Sequence, residues 1–244
     1  MRDRFFVEGV HAVGDRVAFA PDDARKLATV LRKQSGDRVQ VVDSGGAAFA
    51  ATLEVGGRDV AATLDERLDR GEVETALRVT IAQAVPKGQK MELVVEKATE
   101  LGAHAIVPVR SARVIGHETS PAKVERWRRI AKSAAQQSGR ARIPDVADVH
   151  GWDALLATFA RYDRVYVPWE LADPAPLREV FERELPAATS VLIVVGPEGG
   201  FSAAEVERAR AAGASAISLG RRILRTETAA LVVLSAALYA RGEL

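Results

Sequence analysis

Hydrophobic and polar positions follow two rhythms along this chain, and the change falls near residue 75. Before it, apolar and polar residues alternate in short runs, Arg4–Val7, Arg16–Phe19, Arg38–Val42 and Ala47–Val55. A period of two marks strands with one buried face. Gly45-Gly46 and Gly56-Gly57 punctuate the runs as hairpin turns do, and Gly36-Asp37 opens the hairpin before them. One helix is predicted over Asp22–Lys33. Residues 1–70 therefore predict a small β-barrel-like domain. Arg67–Glu74, polar and containing Gly71, reads as the linker to a second domain over 75–244.

In that second part, short apolar runs alternate with segments of helical period. Strands are predicted at Leu77–Val85, Ala105–Val109 (broken by Pro108), Arg164–Val167, Val191–Val195 and Ala214–Ser218. Met91–Leu101 has apolar residues at 91, 94, 95, 98 and 101, the helical spacing, with Gly102 placed to end it. Ser120-Pro121 opens a helix with Val124, Trp127, Ala131, Ala134 and Ser138 on one stripe and Gly139 after it. Further helices are predicted at Gly151–Phe159, Pro174–Leu185 and Ala229–Ala240.

Two loops in this pattern are too polar and too glycine-rich for plain connections. Gly196–Phe201, GPEGGF, follows the most strand-like run of the chain, and Leu219–Ala230, LGRRILRTETAA, lies between the last strand and the closing helix. Loops at the carboxyl ends of strands are where open α/β sheets bind ligands. The first is neither GxGxxG nor GxxxxGK followed by Ser or Thr, so no dinucleotide or triphosphate cradle is indicated. Its three glycines let a ligand approach bare backbone, although a tight turn would use them too. Ser202 and Glu205 form a capping box that starts a helix directly after the loop. In the second loop, Leu219-Gly220 and Ile223-Leu224 suit the two faces of an adenine ring.

Composition narrows the choices. The 244 residues are 48% hydrophobic, enough for a real core, and 34 Lys+Arg against 33 Asp+Glu leave any nucleic-acid affinity to local clusters. There is no cysteine, hence no disulfide or thiolate chemistry, and His11, His104, His117 and His150 show no ligand spacing, so no metal is expected. The start lacks a signal-peptide core, and the longest apolar run, Ala229–Ala240, is shorter than the ~20 residues of a membrane span. A cytoplasmic protein is the expectation. Seven basic residues against one acidic (Glu125) between 123 and 142 form the most basic stretch, read either as a solvated face or as a groove for an RNA backbone. Arg2, Arg4, Arg25, Lys26, Arg32 and Lys33 give the first domain a basic side.

GPEGGF followed by SLGRRILRTETA resembles the signature of the ribosomal RNA small-subunit methyltransferase E family. The likeness extends back through KATELGA (97–103) and QQSGR (136–140) and covers most of the chain. The resemblance implies a SPOUT-type α/β fold: a parallel sheet with a C-terminal trefoil knot, preceded by a PUA-like RNA-binding β-barrel. It implies S-adenosylmethionine as cofactor and methylation of N3 of one uridine in small-subunit ribosomal RNA or the 30S subunit, by a homodimer. By motif position the cofactor residues would be Gly196, Glu198, Gly199, Gly200, Leu219, Gly220, Ile223, Leu224, Thr226 and Ala229. RNA contacts would fall to Arg4, Arg25, Lys26, Arg32, Lys87, Lys90, Arg128, Arg129, Gln137 and Arg140. The family often has histidines where this chain has Arg25-Lys26; a phosphate contact survives that change. Pro168-Trp169-Glu170 would be the first of three cofactor loops, with Trp169 serving packing. Glu96, Lys97 and Glu100 are either solvated, at an interface or facing RNA.

Uridine N3 is protonated at neutral pH, so an enzyme must remove that proton and stabilise the charge spreading to O2 and O4. Arg225 suits the second task. Glu227 is either the proton acceptor or a structural partner of Arg225 or Arg222. Three other readings compete: ribose 2′-O-methylation, a non-catalytic RNA-binding or assembly factor, and an enzyme acting on a small nucleotide.

Overall fold

The computed structural model describes residues 3–57, 59–69, 73–112, 119–170 and 177–244. Arg2, the centre of the expected linker at 70–72, Arg113, His117 and Pro174 lie outside them. The first half holds β1 (Arg4–Phe6), β2 (Arg16–Ala18), α1 (Pro21–Arg25), β3 (Arg38–Val42), β4 (Ala48–Gly56) and β5 (Asp59–Leu68). After these come β6 (Arg78–Ala84), α2 (Lys90–Glu100), β7 (Ala105–Arg110), α3 (Pro121–Ser138), β8 (Asp145–Val146), β9 (His150–Gly151) and α4 (Trp152–Leu156). The chain closes with β10 (Arg164–Pro168), α5 (Leu177–Glu184), β11 (Ser190–Val195), α6 (Ala203–Ala211), β12 (Ser215–Ile217) and α7 (Thr226–Ala240). Residues 1–74 and 135–142 form one unit; residues 75–134 and 143–244 form the other.

In the first unit five strands pair in the order β1-β3-β4-β5-β2, antiparallel except for β1 beside β3. Phe5, Leu27, Val41, Phe49, Leu53 and Leu64 are buried in its core. Strand β5 escapes sequence inspection because two alanines and the run Asp65-Glu66-Arg67 are poor strand formers, and pairing with β4 decides it. The helix expected over Asp22–Lys33 is shorter: α1 gives way to one π-helical turn, Lys26–Val30. Arg32 then takes a left-handed φ of 52°. β-Branched Thr29 and Val30 weaken a regular helix there.

The second unit is built on a parallel sheet in the order β12-β10-β11-β6-β7-β8, with β9 also on β7. Along β11, Val191, Ile193 and Val195 join a core shared with α2, α3, α5 and α7. Leu192 and Val194 face the opposite core, with Trp152, Phe159 and Val206. Burial on both faces explains why these strands read as continuous apolar runs. Strand β7 passes through Pro108 unbroken. Its outer partner changes there, from β8 at Ile106 to β9 at Val109, so the missing N–H falls between two ladders. The α3 stripe is buried at Val124, Trp127, Ala131 and Ala134. Helix α7 begins at Thr226, one turn before the expected Ala229.

The lower ends of β10 and β11 are joined by Asp163, whose Oδ2 accepts from Thr189 N (2.8 Å), Thr189 Oγ1 (2.9 Å), Ser190 N (3.0 Å) and Ser190 Oγ (3.1 Å). The backbone bond from Thr189 leads the causes that hold this carboxyl down to about 2, from an ordinary 3.8. A depressed folded-state pKa contributes stability that is full above the unfolded value and is lost as pH falls through the folded one. Asp163→Ala should therefore melt below wild type at pH 7, and the gap should close as pH falls from 3.8 toward 2. Melting curves at a series of pH values test this; a gap that persists at pH 2 would show that the carboxylate is not its source.

Candidate active site

The carboxyl ends of three adjacent strands, β12, β10 and β11, surround a cavity of about 490 Å³. Each strand contributes the loop that follows it: Pro168–Glu170 after β10, Gly196–Phe201 after β11, and Ser218–Thr226 after β12. The helices that follow β10 and β11 pack on opposite faces of the sheet, α5 with Phe181 in one core and α6 with Val206 in the other, the switch that opens a crevice at the strand ends. The two motifs separated in sequence thus share one pocket.

The glycine loop is shaped by close approach. A Cβ on Gly196 would stand 3.2 Å from the backbone of Gly200 and Phe201. Gly200 has φ +64°, and its N–H donates to Pro197 O (2.9 Å). The capping box closes the loop: Ser202 Oγ accepts from Glu205 N (3.2 Å), and the Glu205 carboxylate accepts from Ser202 N (2.9 Å). Its other oxygen accepts from Ala112 N at 2.8 Å. Between them, Glu198 reaches α2, accepting from Lys87 N (3.0 Å) and Lys90 Nζ (3.0 Å). Burial pushes the Glu198 carboxyl up, but its own backbone N–H and Lys90 outweigh this and leave it below the ordinary value. The same bond raises the Lys90 ammonium.

Lys90 also lies 3.7 Å from Glu227 Oε2. Expected at an RNA surface, it instead stands in the cavity wall between two carboxylates. The structural partner of Glu227 is therefore Lys90 on α2, a pairing that sequence separation hides. Arg225 is exposed, lines the cavity and stands at the N-cap of α7 in extended backbone. Gly196, Glu198, Gly199, Gly200, Leu219, Gly220, Ile223, Leu224, Thr226 and Ala229 all line the same cavity. Ile223 is 91% exposed, at the mouth. Thr226 is buried, and its hydroxyl donates to Gly196 O. Trp169 lines the pocket as well. Its backbone N–H donates to Ile217 O (3.0 Å), and the Arg210 guanidinium lies 5.7 Å from its ring.

The residues expected to touch RNA divide. Arg4 and Arg140 are buried and must be removed from any RNA surface. Arg4 donates to the carbonyls of Gly139 and Arg140, which follow the end of α3 and need partners that the helix cannot supply. Arg140 is held by Glu74, which also accepts from Ala141 N (2.9 Å). Lys26 donates to Gln136 Oε1 at 2.9 Å. Arg128 is tied to Glu125, Asp148 and Val146 O. Arg25, Arg32, Lys87, Arg129 and Gln137 are exposed. Lys97 bridges Glu96 (2.7 Å) and Glu100 (2.8 Å) along α2. Among the described residues, no group of three His, Cys, Asp or Glu is placed to hold a metal, and no helix is long and apolar enough to cross a membrane.

Residues 73–238 match the family model of an RNA methyltransferase domain. A Ribosomal RNA small subunit methyltransferase E of Bacillus subtilis is 37% identical over 224 residues, covering 89% of this chain and 88% of the relative. Its counterpart in Mycobacterium tuberculosis is 35% identical over 246 residues, covering 95% and 89%. Among solved structures, the methyltransferase E of Neisseria gonorrhoeae bound to S-adenosyl methionine superposes with a TM-score of 0.84 at 30% identity, covering 98% of both chains. Agreement over nearly full length, including the loops that build the cavity, places the chain in the ribosomal RNA small subunit methyltransferase E family.

Proposed function

We propose that the chain transfers a methyl group from S-adenosylmethionine to N3 of a uridine in small-subunit ribosomal RNA. The observation that carries this reading is the convergence of GPEGGF and LGRRILRTETA on one cavity at the carboxyl ends of three parallel strands. At about 490 Å³ it has the size of a small-molecule site. The residues present fit the cofactor. Leu219 and Leu224 offer apolar surface for an adenine ring, and the glycine loop offers bare backbone, folded so closely on itself that a Cβ at Gly196 would meet Gly200 and Phe201. When bound, S-adenosylmethionine supplies the methyl group as an electrophile.

The chain's task is to make N3 a nucleophile. Arg225 donates charge-assisted hydrogen bonds to the uracil oxygens as negative charge spreads onto them. Glu227 accepts the N3 proton, directly or through water. Lys90 lines the cavity and lies 3.7 Å from Glu227 Oε2; Glu227 itself is not among the lining residues, so the proton reaches it through water or after the side chain turns inward. A stacked uridine must be turned out to reach this pocket, and the exposed Arg25, Arg32, Arg129 and Gln137 support a role in gripping folded RNA. The wider reading includes a PUA-like RNA-binding role for residues 1–70, a trefoil knot in the C-terminal part, a homodimer and the 30S subunit or its RNA as substrate.

The test is methyl transfer from labelled S-adenosylmethionine to small ribosomal subunits lacking the modification, followed by nucleoside analysis. The expected product is 3-methyluridine. A 2′-O-methylated nucleoside would overturn the base assignment, and no transfer by folded protein would overturn the enzyme.

A further inference from the structure

We infer that Gln83 is a positioning residue of this site. Through Thr226 it sets the spacing between the glycine loop and the start of α7, and hence the shape that receives the cofactor. The inference rests on the S-adenosylmethionine reading above and deepens it.

Gln83 lies on β6, paired across the ladder with Val195, the last residue before the glycine loop. It is fully buried at 0% exposure and does not line the cavity, so it acts without touching a ligand. Its amide nitrogen lies 2.8 Å from Thr226 Oγ1, 2.9 Å from Ala84 O and 3.4 Å from Gly196 O. The Thr226 hydroxyl has one proton, and that proton is directed to Gly196 O. It therefore meets Gln83 as an acceptor. The direction is set: amide N–H to hydroxyl, hydroxyl to carbonyl, each bond polarising the next. Gly196 opens the loop that carries Glu198, and Thr226 follows Arg225. One buried side chain thus joins both walls of the pocket.

The other end of the amide supports this role over simple filling. Gln83 Oε1 is buried with no hydrogen-bond partner among the described residues. An unsatisfied buried acceptor is costly, and an apolar side chain of similar volume would avoid that cost. What the amide adds at this position is its donated bonds.

The experiment compares Gln83→Met, Thr226→Val, Thr226→Ser and the double variant Gln83→Met with Thr226→Val. Each is purified as the full chain, with S-adenosylmethionine binding measured by calorimetry and folding by circular dichroism. Gln83→Met and Thr226→Val should each weaken cofactor binding by about fivefold, the scale of one buried hydrogen bond. Since both break one chain of bonds, the double variant should lose little more than either single one. Thr226→Ser, which keeps the hydroxyl, should stay within about twofold of wild type. A side chain that only stabilised the fold would lower melting temperature and leave affinity in place; folded variants with wild-type affinity overturn the proposal. Losses that multiply in the double variant, or a Thr226→Ser as weak as Thr226→Val, overturn it too. If Gln83→Met does not fold, Gln83→Leu takes its place in the same cycle, because Thr226 itself lines the cavity and only a Gln83 variant isolates the amide. Absence of binding by the wild-type chain is a separate result, which removes the cofactor reading and this inference with it.

Discussion

Arg225→Ala should yield a folded chain that binds S-adenosylmethionine yet loses methyl transfer by about 10²–10³-fold, the scale seen when one donor to a developing negative charge is removed. The fold should survive because Arg225 is exposed, its side chain makes no hydrogen bond or ion pair among the described residues, and the bond from Ala229 N to its backbone carbonyl does not depend on the side chain. Its backbone, at φ −66° and ψ 151°, is a conformation that alanine adopts freely. Cofactor binding should persist because the glycine loop and the apolar residues of the cavity are untouched. The loss should appear in kcat at saturating cofactor and RNA, since charge builds on uracil only as the proton leaves. Arg225→Lys should recover only part of the rate, because a single ammonium cannot reproduce the planar fork of donors. Wild-type turnover by the alanine variant would remove Arg225 from the chemistry.

Gly196→Ala should act on binding. The added methyl would stand 3.2 Å from the backbone of Gly200 and Phe201, and backbone in a tight turn cannot swing aside as a side chain does. Gly196 is further held by the Thr226 hydroxyl on its carbonyl, so the backbone of Gly200 and Phe201 must give way, and both of those residues line the cavity. Crowding of this kind costs about 1–3 kcal/mol. If the strain falls on the bound state, affinity drops by up to about 100-fold. Calorimetric titration with S-adenosylmethionine, beside a melting curve, tests the idea. Unchanged affinity in a folded variant would show that the loop has slack and is not shaped around a ligand.

Much of this architecture is written in the side-chain pattern of the chain. Strands buried on both faces leave continuous apolar runs, and helices covering one face leave a 3.6-residue stripe, so β6, β10, β11, α2 and α3 fall close to their expected ranges. The capping box at Ser202 and Glu205 was legible because its two partners are three residues apart. Strand β5 and the π-helical turn were not. Alanine-rich and charged segments carry a weak local preference, and their conformation is set by a neighbour distant in sequence. Resemblance of the two loops to one family indicated a shared pocket, and all ten expected cofactor residues line one cavity.

The charged residues show where local reading ends. Arg4 looked like surface because arginine mostly is, yet it caps carbonyls 135 and 136 positions away. Lys90 looked like a phosphate contact and instead faces Glu198 and Glu227, 108 and 137 positions later. A charge is legible from its neighbours only when those neighbours are local; once buried, it is governed by the nearest opposite charge or carbonyl in space. The amino-acid order by itself determined which segments became strands and helices and which loops were rich in glycine and arginine, because those features rest on side-chain period and backbone freedom. Only the tertiary structure decided that Gln83 meets Thr226 and that Lys90 meets Glu198 and Glu227, because the parallel strand order brings together residues that the chain keeps more than a hundred positions apart.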